Sequence, residues 1–298
     1  MTVATAPRPA PPRTLLARIV RFPLIRIVLF VVGIAGVSSV VRALNGGLAG
    51  ALGAWWPNAV ANVVLPILAV HFGYRGLTRL LEGRSASELG RLGAPRETIA
   101  GAVIGAGLLS LAVAAVAALG YYHVEGTAAW TALLTAFGIA ATSGYIEEVV
   151  FRGVLFRIVE EGLGTWAAFA VTVAFFGAAH LSNPNATLYG AAAIGIEAGM
   201  LLGAAYVVTR RLWLAIGIHF GWNFMQAGVF GPNLSGHEVG SMLQSRLSGP
   251  DLISGGALGV EGSIFAVLFC GGLSALLLMK AHRRGQFVQP FRRRRRTA

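Results

Sequence analysis

Long apolar runs separated by short polar segments dominate the chain. Most approach the ~20 residues that an α-helix needs to cross the hydrocarbon core of a bilayer. The predicted membrane helices lie at about Pro23–Val41, Leu48–Phe72, Thr98–Leu119, Ala129–Val159, Trp166–Leu181, Thr187–Thr209, Leu212–Phe230 and Gly262–Met279. The pattern therefore predicts an all-α, polytopic membrane protein with about eight transmembrane helices.

The composition agrees with this class. Apolar residues make up 55% of the chain and charged residues only 12%, whereas soluble domains carry about 25% charged residues. The only cysteine, Cys270, lies in an apolar run. A disulfide framework and a Cys/His zinc cluster are therefore excluded.

The placement of the basic residues predicts the orientation. The net charge is +12. If the amino terminus is cytoplasmic, every basic residue except Arg42 and Arg246 falls in a cytoplasmic segment. The positive-inside rule then predicts that both termini are cytoplasmic. The arginine run at 292–296 is interpreted as an orientation signal and a site for anionic lipid, not as a nucleic-acid site.

The sequence predicts one transmembrane domain over 22–281. A disordered, proline-containing basic arm precedes it at 1–21, and a basic cytoplasmic tail follows at 282–298. The first apolar run is long for a signal peptide and lacks a clear cleavage site, so we expect an uncleaved membrane helix.

Polar side chains interrupt three of the predicted helices. Residues 147–152 read Glu-Glu-Val-Val-Phe-Arg, Phe176 precedes His180 by four residues, and His219 precedes Asn223 by four. An ionisable side chain at bilayer depth costs roughly 2.5–3.5 kcal/mol, so it usually marks a functional site. Residues four apart share a helix face, so each pair can point into the interior of the bundle.

Helix geometry predicts how these groups are arranged. Glu147 and Glu148 are about 100° apart on a helix, so one can face a cavity while Glu148 pairs with Arg152. The turn at Gly162–Thr165 lies midway between Glu147 and His180. Both groups should then lie about 24 Å from that turn, at the same depth in the inner half of the bilayer. The charged stretch that contains Arg157, Glu160 and Glu161 is expected to protrude into the cytoplasm.

Alternatives remain for each group. The two glutamates and the arginine could form a purely structural charge network, and the histidine and asparagine pair could only link helices. Phe176 is interpreted as a wall of the site. Glu197 is a further buried acid, either a second carboxylate of the site or a partner for the region around Arg210.

Together, the three motifs resemble the CAAX protease and bacteriocin-processing family, also called the Abi family, which includes the type II CAAX prenyl endopeptidases. The family pattern is Glu-Glu-x-x-x-Arg, Phe-x-x-x-His and His-x-x-x-Asn, and it is matched in order within about 130–225. The resemblance implies an intramembrane endopeptidase. It assigns activation of a water molecule to Glu147 and His180, and stabilisation of the oxyanion to His219 and Asn223.

Cofactor, substrate and location follow as expectations. We expect no metal, because the His-Glu-x-x-His signature is absent. The alternative is zinc held by the same glutamate and two histidines. The expected substrate is a membrane-associated peptide or protein, processed as in CAAX maturation or as in bacteriocin production and self-immunity. The expected location is a bacterial plasma membrane, with the active site open toward the cytoplasm.

Two different classes of function stay open at this stage. The chain could be a non-enzymatic immunity or partner-binding membrane protein of the same fold. It could also be a transporter or ion carrier, although no internal repeat is visible.

Overall fold

The computed structural model describes residues 15–20, 22–52 and 55–290, which are mostly helical. The helices are Leu15–Val20 (α1), Pro23–Leu52 (α2), Trp55–Leu77 (α3), Ala94–Ala118 (α4), Ala132–Glu148 (α5), Arg157–Leu163 (α6), Thr165–Ala179 (α7), Leu188–Ile194 (α8), Leu201–Thr209 (α9), Trp213–Phe224 (α10), Asp251–Ser254 (α11) and Ile264–Arg283 (α12). Short strands form two antiparallel pairs: Tyr122–Thr127 (β1) with Leu243–Leu247 (β4), and Asn233–Leu234 (β2) with His237–Glu238 (β3).

Several helices are extended or joined by π-helical turns, which are wider than α-helical ones. Val149–Phe156 joins α5 to α6, and Gly195–Met200 joins α8 to α9. Met225–Phe230 extends α10, and Thr78–Glu82 extends α3. Two of these stretches contain Arg152 and Glu197, which the sequence analysis singled out, and a third begins two residues after Asn223.

Among the described residues, six helical segments are long and apolar enough to cross a membrane. They are Pro23–Asn45, Ala94–Ala118, Ala132–Leu163, Thr165–Ser182, Leu188–Thr209 and Ile264–Arg283. The prediction of a helical membrane protein is confirmed at this level. The other two predicted segments are also helical, as α3 and as α10 with its extension, but they are not among the six. Eight crossings and cytoplasmic termini stay predictions.

Parts of the predicted arm and tail can be described. Residues 1–14 and 291–298 lie outside the described residues, and so does the predicted arginine run. Within the arm that was predicted to be disordered, Leu15–Val20 form a helix. At the other end, Val288 exchanges hydrogen bonds with Thr165, at the start of α7. The described end of the tail is thus fixed to the amino-terminal end of α7.

Four glycines bring the backbones of α4 and α10 into contact. A Cβ atom at Gly101 or Gly105 would lie within 3.0 Å of α10 backbone, and one at Gly217 or Gly221 within 3.0 Å of α4 backbone. Small residues permit this close approach between membrane helices. Because residues two apart on a helix point in nearly opposite directions, this contact leaves His219 facing away from α4.

A second glycine face packs α7 against the helix that follows it. Gly195 and Gly199 lie against Val173, and Gly203 lies against the ring of Phe169. The contact places the end of α7 beside the π-helical stretch Gly195–Met200.

Ion pairs form a layer at the end of the bundle where α6 ends and α7 begins. Glu82 accepts from Arg26 at 2.7 Å and from Arg157 at 2.8 Å, and Arg210 binds Glu160 at 2.5 Å. Arg157 and Glu160 are buried. Neighbouring helix ends supply opposite charges that cover both side chains. The expectation that this stretch protrudes into the cytoplasm stays a prediction.

Glu88 extends this layer. It accepts hydrogen bonds from Arg84 at 2.9 Å and from the Tyr74 hydroxyl. Burial disfavours the ionised carboxylate, but the hydrogen bonds and charge of Arg84 hold the pKa of Glu88 below its usual value. The segment between α3 and α4 is thus fastened to the bundle.

Gly105→Ala should lower the free energy of unfolding by about 1–3 kcal/mol, the usual cost of overpacking, because its Cβ would collide with the carbonyl of Ile218. Gly107→Ala is the matched control, since nothing lies within 4 Å of its Cβ position. Replacing that helix-interior glycine should stabilise by roughly 0.5–1 kcal/mol. Thermal unfolding of the purified protein in detergent measures both, and equal stability of the two variants would contradict the proposed contact.

Lowering the pH should destabilise the ion-pair layer. Because the pKa of Glu88 is lower in the folded protein than the value of about 4.3 in an unfolded chain, its stabilising contribution is complete above that pH and is lost as the pH falls further. Glu88→Gln should cost roughly 1–3 kcal/mol at neutral pH and weaken the acid dependence. Unfolding midpoints from pH 7 down to about pH 2 test this, with the exposed Glu125→Gln as the control.

Candidate active site

A cavity of about 580 Å³ lies among α5, α7, α10, the stretch Gly195–Met200 and the loop around β2 and β3. Glu147, His180, His219 and Asn223 all line it. The structure thus brings together, from three helices, the four residues to which the resemblance assigns catalytic roles.

Glu147 presents a free carboxylate to this cavity. Its side chain is 31% exposed, and its Oε2 atom lies 3.9 Å from Nε2 of His219. Among the described residues, no hydrogen-bond partner reaches this oxygen. An acidic oxygen without a partner, in a cavity lined largely by apolar side chains, is available to a water molecule or a substrate.

The neighbouring Glu148 has a different environment, as its position on the helix predicts. It is completely buried, and its Oε1 atom accepts from Arg152 Nη1 at 2.8 Å and from His219 Nδ1 at 2.9 Å. Because a carboxylate only accepts, the Nδ1 atom of His219 is the donor, and Nε2 is left to face Glu147 and the cavity. Glu148 therefore sets the orientation of the imidazole.

Arg152 connects this group to a further helix. Its Nη2 atom donates to the carbonyl of Ala198 at 2.5 Å, and its guanidinium lies 4.9 Å from the centroid of the Phe176 ring. Arg152 is fully buried. It balances the charge of Glu148 and ties α5 to the π-helical stretch Gly195–Met200.

His180 closes α7 at the edge of the cavity. Its Nδ1 atom donates to the carbonyl of Phe176 at 2.7 Å, so Nε2 is the nitrogen left for the cavity. The Phe176 ring lies 4.9 Å from the ring of His180 and 6.3 Å from that of His219. Phe176 is buried and forms the shared wall that the sequence analysis expected.

Asn223 lies one turn beyond His219 and is held by α5. Its Nδ2 atom donates to Ser143 Oγ at 3.0 Å, and that hydroxyl donates to the carbonyl of Ile139. One N–H of the amide is thus engaged, while the other remains for a ligand. The sequence analysis missed Ser143, although its position one turn before Glu147 on the same helix face could have indicated it.

Glu197 also lines the cavity. Its interpretation as a partner for the region around Arg210 is wrong, because Arg210 binds Glu160 instead. Two further carboxylates on the cavity wall, Glu238 and Glu261, come from the glycine-rich loop and from the turn before α12. The sequence carried no periodic signal for either.

The arrangement does not fit the zinc alternative. Within the described ranges, no group of three or more His, Cys, Asp or Glu side chains could hold a metal ion. The set formed by Glu147, His180 and His219 does not meet that requirement.

The exposed rim of the cavity contains His237 and Glu238, together with Asn183, which follows α7. The carboxyl-terminal segment around Val288 contacts the opposite end of α7, where the ion-pair layer also lies. A cytoplasmic carboxyl terminus and a cavity open toward the cytoplasm were both predicted. The structure places Val288 and the rim of the cavity at opposite ends of α7, and both orientations stay predictions.

Residues 128–225 match the family model of type II CAAX prenyl endopeptidases of the Rce1-like kind. Among curated proteins and among solved structures, no match to the chain was found. The matched range begins just before α5 and ends just after Asn223, so it contains every motif residue of the cavity. The resemblance inferred from the three motifs is thus confirmed over this region, which is about a third of the chain.

Proposed function

We propose that this chain is an intramembrane endopeptidase that hydrolyses a peptide bond in a membrane-associated peptide or protein. The family indicates a protease. The observation that carries the proposal is the convergence of Glu147, His180, His219 and Asn223 on one cavity. Processing of the CAAX type and processing of a bacteriocin or self-immunity substrate both fit this chemistry.

Glu147 acts as the general base. Its unpartnered Oε2 atom takes a proton from a water molecule, whose oxygen then attacks the carbonyl carbon of the scissile bond. His180 helps to position this water through Nε2, because its Nδ1 atom is committed to the Phe176 carbonyl. The proton on Glu147 subsequently passes to the leaving amine as the carbon–nitrogen bond breaks.

His219 and Asn223 stabilise the negative charge that develops on the carbonyl oxygen. As an imidazolium, His219 keeps its Nδ1–H on Glu148 and donates from Nε2 into the cavity. Asn223 supplies its second amide N–H. Donors held in place before the reaction are each worth about 2.7–4 kcal/mol in comparable oxyanion sites.

A lateral groove gives a membrane-embedded substrate a route to this site. A second cavity of about 720 Å³ lies between α3 and α5, and it shares Ile139, Ser143 and Glu147 with the first. Its other lining residues include Val63, Leu134 and Ile146. An apolar segment of a substrate in the bilayer could lie in this groove while its peptide bond reaches Glu147.

The distribution of charge gives the orientation that we propose. The helix ends with the ion-pair layer and the fixed tail carry most of the described basic residues, so we place them in the cytoplasm of a bacterial cell. The rim at His237 and Glu238 then faces the opposite side of the plasma membrane. Anionic lipid remains the proposed partner of the basic termini, and no nucleic-acid role is proposed.

Glu147→Gln should reduce peptide cleavage by a factor of at least about 100, because the amide cannot accept the proton of the attacking water. Protein reconstituted in liposomes is incubated with a library of apolar peptides, and new peptide ends are counted by mass spectrometry. Glu125→Gln makes the same change on exposed β1 and should retain cleavage. Undiminished cleavage by the Glu147→Gln variant, with an unchanged unfolding midpoint, would contradict the assignment of Glu147 as the general base.

The rim of the cavity and the end of α6 should be labelled from opposite sides of the membrane. In a Cys270→Ala background, His237→Cys should react with a membrane-impermeant maleimide in intact cells. Leu163→Cys, at an exposed position beside the ion-pair layer, should react only after the cells are opened. Labelling of both cysteines from the same side would contradict the placement of the rim and the end of α6 on opposite sides of the membrane. Labelling of Leu163→Cys in intact cells and of His237→Cys only in opened cells would show that the cavity opens toward the cytoplasm.

A further inference from the structure

The cavity carries charge opposite to that of the protein as a whole. The chain has a net charge of +12, yet the carboxylates of Glu147, Glu197, Glu238 and Glu261 line the cavity. Among the described residues, no lysine or arginine is part of that lining. Arg152, the arginine of the first motif, is fully buried and committed to Glu148. The cavity is therefore suited to a positively charged ligand.

Glu197 is the least compensated of these acids. It is only 5% exposed, and its Oε1 atom has no hydrogen-bond partner among the described residues. A buried carboxylate without a partner is costly, and an added cation relieves that cost. The mechanism proposed above makes no use of this side chain.

Glu261 supplies a second carboxylate that is fixed in advance. It is buried, and it accepts a hydrogen bond from the backbone N–H of Ser235. The same loop is held by Asn183, which donates to the Ser235 carbonyl at 3.0 Å, and by Gly236, which donates to the Leu258 carbonyl at 3.0 Å. Burial raises the pKa of Glu261 to about 7, so a nearby cation would favour its charged form.

The walls near these acids suit a long side chain. Leu201, Leu202, Ile218 and Trp222 line the same cavity and offer apolar surface. Lysine and arginine carry a charged head on an aliphatic stem, so they can place the stem on such surface and the head on a carboxylate. A bare metal ion would leave that surface uncovered.

We propose that Glu197 and Glu261 form a specificity site that binds the cationic side chain of a lysine or arginine in the substrate peptide. The assignment of the ligand to a substrate rests on the proposed peptidase function. The site is coupled to the catalytic group, because the carbonyl of Ala198, next to Glu197, accepts from Arg152. A bound side chain would therefore be positioned relative to His219 through Arg152 and Glu148.

The test uses the full chain in lipid nanodiscs with two small probes, n-butylguanidinium and its uncharged analogue n-butylurea. Binding is measured by ligand-observed NMR. The cation should bind about tenfold more tightly than the urea, as a charge-assisted hydrogen bond predicts. Glu197→Gln should abolish most of that preference, and Glu261→Gln should reduce it as well. Glu238→Gln removes an exposed carboxylate of the rim and should change binding less than about twofold.

Each result decides the proposal. Equal binding of the two probes to the wild-type protein, or an unchanged preference in both Glu197→Gln and Glu261→Gln, would overturn it. Displacement of butylguanidinium by sodium chloride but not by choline chloride would assign the site to an inorganic cation instead. A second readout is cleavage of paired peptides that carry arginine or citrulline, for which Glu197→Gln should raise KM for the arginine peptide and leave kcat nearly unchanged.

The two proposals can fail separately. Glu147-dependent cleavage without any preference for the cationic probe would remove the specificity site and leave the peptidase. A cationic preference that requires Glu197, in a protein whose peptide cleavage does not depend on Glu147, would remove the peptidase and leave a cation-binding cavity.

Discussion

The buried hydrogen bonds of Glu148 are the interaction on which the site depends. This carboxylate is sealed from solvent and joins the guanidinium of Arg152 to the imidazole of His219. Three parts of the bundle meet there, because Arg152 also binds the carbonyl of Ala198. Separating a buried ion pair would leave an uncompensated charge inside the bundle, so the local geometry has few alternatives. The orientation of His219 follows from that restriction.

The glycine contacts complement this polar core. The α4 and α10 helices touch along Gly101, Gly105, Gly217 and Gly221, which fixes the rotation of α10 about its axis. The imidazole on its opposite face can then reach Glu148 only at one height and one angle. Close packing and buried charge thus place the same side chain from two sides. Neither contact alone would fix the position of His219. The glycine contacts would allow α10 to slide along α4, and a single ion pair would allow α10 to tilt.

Much of this arrangement could be predicted from the sequence. The helices follow from the apolar runs, and the cavity residues follow from acids and imidazoles that recur at helical spacing. The pairing of Glu148 with Arg152 required only the rule for residues four apart. The hydrogen bond between Glu148 and His219 could not be foreseen, because it joins residues far apart in the chain and depends on how α5 and α10 cross.

The parts that the sequence left open have a common physical cause. Glu238 and Glu261 belong to a loop and a turn, where no periodicity reports which way a side chain points. The burial of Arg157 and Glu160 depends on partners supplied by other helix ends. The end of the bundle at which the cavity opens could be predicted only with knowledge of how α7 runs relative to the carboxyl-terminal segment. The periodicity of a sequence describes one helix at a time, whereas these burial and loop positions depend on how several helices pack together.

The wide turns that follow Glu148 give the site an unusual sensitivity to chain length. The stretch Val149–Phe156 accommodates more residues per turn than an α-helix, so it shifts the angular phase between the acids before it and the core residues after it. Removing one residue there while the winding stays the same would rotate the two sets by about 100° relative to each other. Either the carboxylates or the apolar anchor would then face the wrong environment. Substitutions of similar volume are compatible with this helix, whereas insertions and deletions are not.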